Sequence, residues 1–204
     1  MLDERLDISE LAAVFQKSEK GQALRDQYSA FVDRLWEDGT MRDEIDSVWF
    51  GTDEEKRTVL DYESLPDPNG TLRLAVDPSV PPFSMMKENR VVGYDVDIAA
   101  RFCQANGYRL EVVPMVFDGV LSSVQTGKVD FAVCGITVTE ERAESVLFSS
   151  PTYHSGTALG VLRSGAAAQE EETSFWAGIA ASFTRTFIRE DRCVRPDEDG
   201  RRNH

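Results

Sequence analysis

The sequence predicts an α/β fold, a parallel-rich sheet flanked by helices on both faces. Between Thr71 and Arg163, short β-rich runs alternate with helical patterns in the order β-α-β-α-β. Glycines at 107 and 127 stand where the two intervening helices should stop. Ahead of that region, Leu24, Tyr28, Phe31 and Leu35 recur at helical spacing, which predicts a helix over 21–36 with one buried face. At 204 residues the chain has room for one domain of ordinary size and a small appendage.

Taken in order, residues 8–15 (ISELAAVF) read as a short strand, and 16–21 as a turn into the helix. Asp38-Gly39-Thr40 ends that helix, and a second short helix follows over 42–50, closed by Gly51. The acidic stretch 52–70, with Pro66, Pro68 and an Asn-Gly pair, reads as a linker in which Val59, Leu60 and Tyr62 could pack locally. Thr71–Val76 is the next strand, and 77–83 (DPSVPPF) a proline-stiffened loop at its carboxyl end. Val91–Gly93 leads into a helix through Asn106, with Ile98, Ala99, Phe102 and Cys103 on one face. A strand over 108–113, a helix over 117–126 and a strand over 129–134 follow, and 156–163 reads as the last strand. Residues 174–192 form an amphipathic helical pattern, with Phe175, Ile179, Phe183 and Phe187 four residues apart.

Composition narrows the function. A net charge of −14 and a pI near 4.6 argue against nucleic acid and anionic membrane as partners. No apolar run approaches the roughly eighteen residues of a membrane span. Met1–Glu10 is acidic without an apolar centre, so no signal peptide is expected there. Cys103 and Cys134 sit in apolar contexts and read as core residues rather than a disulfide; Cys193 is far from both. His154 and His204 are the only histidines, too few for a zinc cluster, and no cofactor is expected. The chain carries no G-x-S-x-G, P-loop or G-x-G-x-x-G, so no enzyme is expected.

One stretch carries chemistry. In 135–153 (GITVTEERAESVLFSSPTY) a glycine and two threonines follow a buried-looking strand, then an acidic pair and Arg142. Thr139 with Glu140 and Glu141 suits a helix N-terminus. A strand's carboxyl end leading into such a turn is where open α/β sheets place ligands. Arg142 offers a planar fork that matches a carboxylate in two hydrogen bonds. The plain alternative is an arginine paired with Glu140 or Glu144 on a helix surface.

The order G-I-T-x-T-x-E-R, with Val146, Phe148, Ser149, Pro151 and Tyr153 after it, resembles the bacterial family 3 solute-binding proteins, polar amino-acid receptors of ABC importers. Further matches are A-x-D-x-x-x-x-P-F, V-G-Y-D-V-D and F-D-G-V-L-x-x-V-Q-T-G-K-V-D within 71–163. The resemblance implies one lobe of a type II periplasmic-binding-protein-like fold and an extracytoplasmic location. It implies that Arg142 holds a ligand's α-carboxylate with help from Thr137, and that the Gly135 backbone receives the α-amino group beside Cys134. Asp77 would reach the ligand's side chain and Phe117 flank it. Val80 departs from the pattern, standing where the family often has a stacking aromatic.

The segment 8–51 resembles the family's carboxyl-terminal helices, ending in Trp49-Phe50-Gly51, yet here it comes first. The chain therefore resembles both pieces of lobe one in permuted order, joined by the linker 52–70. After 71–163 comes a polar linker, 164–173, in place of lobe two. The pattern over 174–192 resembles the segment before the first membrane helix of receptor–permease fusions, and the resemblance stops at the tail 193–204. An ABC permease is the partner so implied. A single lobe keeps a fraction of the contacts and most of the immobilisation cost, so binding at millimolar or weaker is expected, about −4 kcal/mol against about −8 for a micromolar receptor. The alternative is a non-catalytic interaction or oligomerisation domain, such as a homodimer covering Phe117.

Overall fold

The computed structural model describes residues 7–53, 57 and 59–157, all within one compact unit spanning 1–165. The sequence-predicted helix over 174–192, the linker 164–173, the tail and most of the last strand lie outside the described residues.

The amino-terminal strand is two strands. β1 (Asp7–Leu11) and β2 (Val14–Gln16) are separated at Ala12 and Ala13, whose backbone N–H groups leave the ladder. Ala12 donates to the Ile136 carbonyl at 3.0 Å and Ala13 to Ser149 Oγ at 3.1 Å. The chain thus crosses from a two-stranded ribbon into the main sheet without an unsatisfied donor. Helix α1 (Glu19–Glu37) begins at Ser18, whose hydroxyl accepts from Gly21 N–H at 3.1 Å. A side chain at Gly21 would place its Cβ 2.1 Å from the Gln16 carbonyl oxygen, so only glycine permits this tight entry. Gly39, at φ +84°, ends α1 as the sequence predicts. The second helix is a π-helical stretch, Met41–Asp46, running into α2 (Ser47–Trp49).

Next come β3 (Thr71–Val76), β4 (Ser79–Val80), β5 (Ser84–Lys87) and β6 (Arg90–Val92). The last three form an antiparallel ribbon where the sequence reads as a loop and a helix approach. Its turn is Glu88-Asn89, both at positive φ, without the Asn-Gly signature that marks such turns in sequence. Helix α3 (Tyr94–Ala105), β7 (Arg109–Pro114) and α4 (Phe117–Gln125) follow as expected. β8 is only Phe131–Ala132, shorter than the expected 129–134. Single bonds extend its pairing, Asp130 N–H to the Arg73 carbonyl and Val133 N–H to that of Ala75. Helix α5 (Glu140–Ala143), β9 (Val146–Phe148) and β10 (Tyr153–Thr157) complete the described chain. The last strand begins at Tyr153 rather than 156, because its partner is β1, with Leu11 opposite Tyr153.

The main sheet runs β7-β3-β8-β2-β9. β3 is parallel to β7 and β8, and β2 runs antiparallel to both its neighbours β8 and β9, so the sheet is parallel-rich as expected, with one reversed strand supplied by the amino-terminal segment. Register puts Phe15, Phe131 and Leu74 on one face, covered by α1 and α3. There Tyr28 lies 5.6 Å from Phe15, 5.8 Å from Phe131 and 5.0 Å from Phe102. Val14, Ala75 and Ala132 point the other way, fully buried, where α4 packs on β2, β3 and β8. The amino-terminal segment is therefore part of the core: it contributes a central strand, and Phe15, Tyr28 and Trp49 are fully buried. Each such side chain stabilises the fold by roughly 1.5–3 kcal/mol through burial alone. Within 52–70, Tyr62 is also buried and its hydroxyl donates to the Val91 carbonyl at 3.1 Å.

Candidate binding site

The carboxyl ends of β3 and β8 meet the N-termini of α4 and α5, and the six residues singled out from sequence gather there. Asp77 follows β3. Its Oδ1 accepts from Ser79 N–H at 2.9 Å and Ser79 Oγ at 2.6 Å, and its Oδ2 accepts from Phe117 N–H at 2.8 Å. The Ser79 hydroxyl, with the two N–H groups, holds this carboxyl below its ordinary range against the opposing effect of burial. Asp77 thus ties the first turn of α4 to β3, and what it offers a ligand is the remaining acceptor capacity of a charged carboxylate.

Phe117 opens α4 half-buried, with the Arg142 guanidinium carbon 5.6 Å from its ring centroid. Arg142 sits in α5, whose N-cap is Thr139, its Oγ1 accepting from Arg142 N–H at 3.2 Å. One guanidinium nitrogen donates to the Thr137 carbonyl at 2.9 Å. Among the described residues Arg142 forms no ion pair, so the surface pairing with Glu140 or Glu144 is not what the structure shows. The guanidinium is instead steered by a carbonyl and an aromatic face, which leaves donors of its fork available to an anion.

Cys134 and Gly135 form the turn after β8. The Cys134 side chain is buried, and burial pushes its thiol up to about 12, so only its backbone can serve a ligand. Gly135 takes φ +61°, a left-handed conformation. The space beside its Cα is bounded by the Phe83 ring and Val80, so Val80 lies against this turn. Thr137 bridges to Leu11, and Val138 N–H donates to the Glu10 carbonyl at 2.8 Å, which fastens this segment to β1.

Sequence reasoning singles out Tyr94-Asp95-Val96-Asp97 as a motif but assigns its acids no role. Asp95 is buried behind the turn, and its Oδ2 accepts from Gly135 N–H at 2.7 Å. Burial pushes its carboxyl up to about 7, with the Gly135 bond opposing. In sequence the one trace of this is an acid set among apolar residues, Tyr94, Val96, Ile98 and Ala99, all of which the structure buries. Asp97 has other partners: Trp49 Nε1 donates to it at 3.0 Å and Arg101 Nε at 3.1 Å. Phe50, Phe83, Tyr94 and Tyr153 pack as an aromatic cluster behind Gly135, with Phe50 and Tyr153 stacked at 4.8 Å. A shallow groove of about 440 Å³, lined by Tyr62, Arg90, Arg109 and Glu111 among others, lies along β7 and includes none of the six residues.

Residues 72–198, more than half of the chain, match the model of the bacterial extracellular solute-binding proteins, family 3. The chain belongs to that family. It is 35% identical over 87 residues to an arginine-binding periplasmic protein of Mannheimia haemolytica, covering 42% of this chain and 37% of that one. It is 34% identical over 96 residues to a putative ABC transporter arginine-binding protein 2 of Escherichia coli K12, covering 47% and 39%. A solved structure of an ancestral arginine-binding protein bound to arginine is 40% identical, with a TM-score of 0.36, over 37% of this chain and 34% of that one. The chain thus spans little more than a third of the length of these relatives.

Proposed function

We propose that this chain is the amino-acid-binding lobe of an ABC importer receptor, carrying one half of a ligand site. The observation that supports it best is the setting of Arg142, poised over Phe117 and tied to the Thr137 carbonyl with no acid partner among the described residues. In this reading Arg142 takes the α-carboxylate with help from Thr137, the Gly135 backbone receives the ammonium group with Cys134 backbone beside it, and Phe117 bounds the side chain. Asp77 reaches the ligand's side chain. Relatives named as arginine-binding make L-arginine the first ligand to test. Such proteins work outside the cytoplasmic membrane with a permease, and that placement and partner are carried here as part of the proposal. Binding through one lobe is millimolar or weaker.

The order of the pieces belongs to the same proposal. Residues 7–51 supply a central strand, a covering helix and Phe50 behind the site, which supports a permuted lobe one. Titration of L-arginine and a panel of polar amino acids by NMR tests the assignment: saturable shifts at Arg142, Gly135 and Thr137 support it, and none with any amino acid refutes it. A second reading, an interaction domain, is favoured by Val116, 74% exposed beside Phe117. Sedimentation that shows a dimer weakened by Val116→Asp would select it.

A further inference from the structure

We propose that Asp95 is the positioning residue of this half-site: its carboxylate holds the Gly135 N–H and so fixes the Cys134–Gly135 turn, setting the direction and basicity of the Cys134 carbonyl beside the Gly135 backbone that receives a ligand's ammonium group. The inference rests on the amino-acid-binding reading above.

The geometry is that of one peptide unit. Asp95 Oδ2 lies 2.7 Å from Gly135 N, a short, charge-assisted bond. In a trans peptide the N–H and the preceding C=O point in opposite directions, so a carboxylate gripping Gly135 N–H from the core turns the Cys134 carbonyl outward. The same bond polarises the peptide and makes that carbonyl a better acceptor. Among the described residues no hydrogen bond falls on the Cys134 or Gly135 carbonyl, so both are free to accept. The turn is fastened on either side, by Val133 N–H on the Ala75 carbonyl and Ala12 N–H on the Ile136 carbonyl, and the Asp95 bond fixes the glycine between them at φ +61°. Asp95 is itself rigidly placed. It lies in the first turn of α3, its own N–H donates to the Phe83 carbonyl at 3.1 Å, and the residue is 4% exposed.

The groups that face Asp95 are few. Tyr28 comes from α1, Tyr94 from its own helix and Cys134 from the turn after β8, all neutral at ordinary pH. Arg142 and Asp77 act on Cys134 from the far side of that turn, and Asp46 acts on Tyr94. With no cation against it among the described residues, the carboxylate is held mainly by the Gly135 bond, and burial pushes it up to about 7. A ligand ammonium arriving at the Cys134 carbonyl favours the charged form, and by linkage the charged form favours the ligand. Affinity then rises with pH through the neutral range, by roughly fivefold for exchanging a neutral for a charge-assisted bond.

The test is an NMR titration with L-arginine at pH 6 and pH 8 on the wild-type chain, Asp95→Asn and Asp95→Leu, with the Gly135 amide followed separately against pH without ligand. Expected results are a Gly135 amide that titrates near pH 7 and ceases to do so in Asp95→Asn. Asp95→Asn, which keeps an acceptor, stays within roughly threefold of wild type at pH 6 and loses the rise at pH 8; Asp95→Leu falls at least about tenfold. Binding by folded Asp95→Leu within twofold of wild type, or the same pH dependence in Asp95→Asn as in wild type, overturns the proposal. If wild type shows no saturable binding, the amino-acid reading fails by itself. Titration of the Gly135 amide then still supports Asp95 as the holder of the turn, and its absence overturns that as well.

Discussion

Replacing Asp95 by asparagine should stabilise the protein, and should do so more at pH 8 than at pH 5. The carboxyl is fully inside, and burial raises it from an ordinary 3.8 to about 7. A raised acid binds protons more tightly when folded, so its contribution to stability is complete below about pH 4 and is lost as pH rises through about 7. Every tenfold fall in proton activity across that window removes about 1.4 kcal/mol. The roughly hundredfold fall between pH 5 and the folded value therefore takes on the order of 2.5 kcal/mol from wild type by pH 8. Asparagine keeps an acceptor for Gly135 N–H and has no charge to bury, so its curve lacks this loss. Asp46, pushed up to about 6 by burial, works in the same direction but is present in both proteins and cancels. Asp77 and Asp130 are held low by their partners, so their windows fall below this range. Urea unfolding followed by tryptophan fluorescence at the two pH values gives the comparison. Parallel pH profiles for the two proteins would falsify the reasoning, and so would a mutant that loses ground between pH 5 and pH 8.

Other changes probe the turn and the amino-terminal segment. Gly135→Ala should lower stability by about 1–2 kcal/mol, read from the urea midpoint, because φ +61° is strained for any side chain while the space itself is adequate. An unchanged midpoint would mean that the turn relaxes freely. Trp49→Phe keeps most of the volume and removes the bond to buried Asp97, so a loss of about 1.5–3 kcal/mol is expected by the same assay. Phe15→Ala, in the central strand supplied by the amino-terminal segment, should lose about 3–5 kcal/mol. A loss near zero would place that segment outside the core.

Much of this fold is legible in the sequence because its signals are local. The helical spacing of Leu24, Tyr28 and Phe31 and the Thr139-Glu140-Glu141 cap each act over one or two turns, and each stands where the sequence predicts it. The misses come from long-range partners. Ala12 and Ala13 look like the middle of a strand, and only the Ile136 carbonyl and the Ser149 hydroxyl, more than a hundred residues away, break it. Glu88-Asn89 turns the unexpected ribbon without a glycine. Arg142 has acidic neighbours in sequence, yet the structure sets it over Phe117 and the Thr137 carbonyl instead. Asp95 escapes assignment because a buried acid reads in sequence like any first-turn carboxylate. Its partner, Gly135 N–H, lies forty residues on.

The most direct test of the half-site is the titration of the wild-type chain and Arg142→Ala with L-arginine, followed by NMR to tens of millimolar, a range set by an affinity of about −4 kcal/mol. Shifts at Gly135, Thr137 and Phe117 should saturate in wild type and vanish in a folded Arg142→Ala. Shifts that persist without Arg142, or rise linearly without saturating in wild type, would contradict a carboxylate held by that guanidinium.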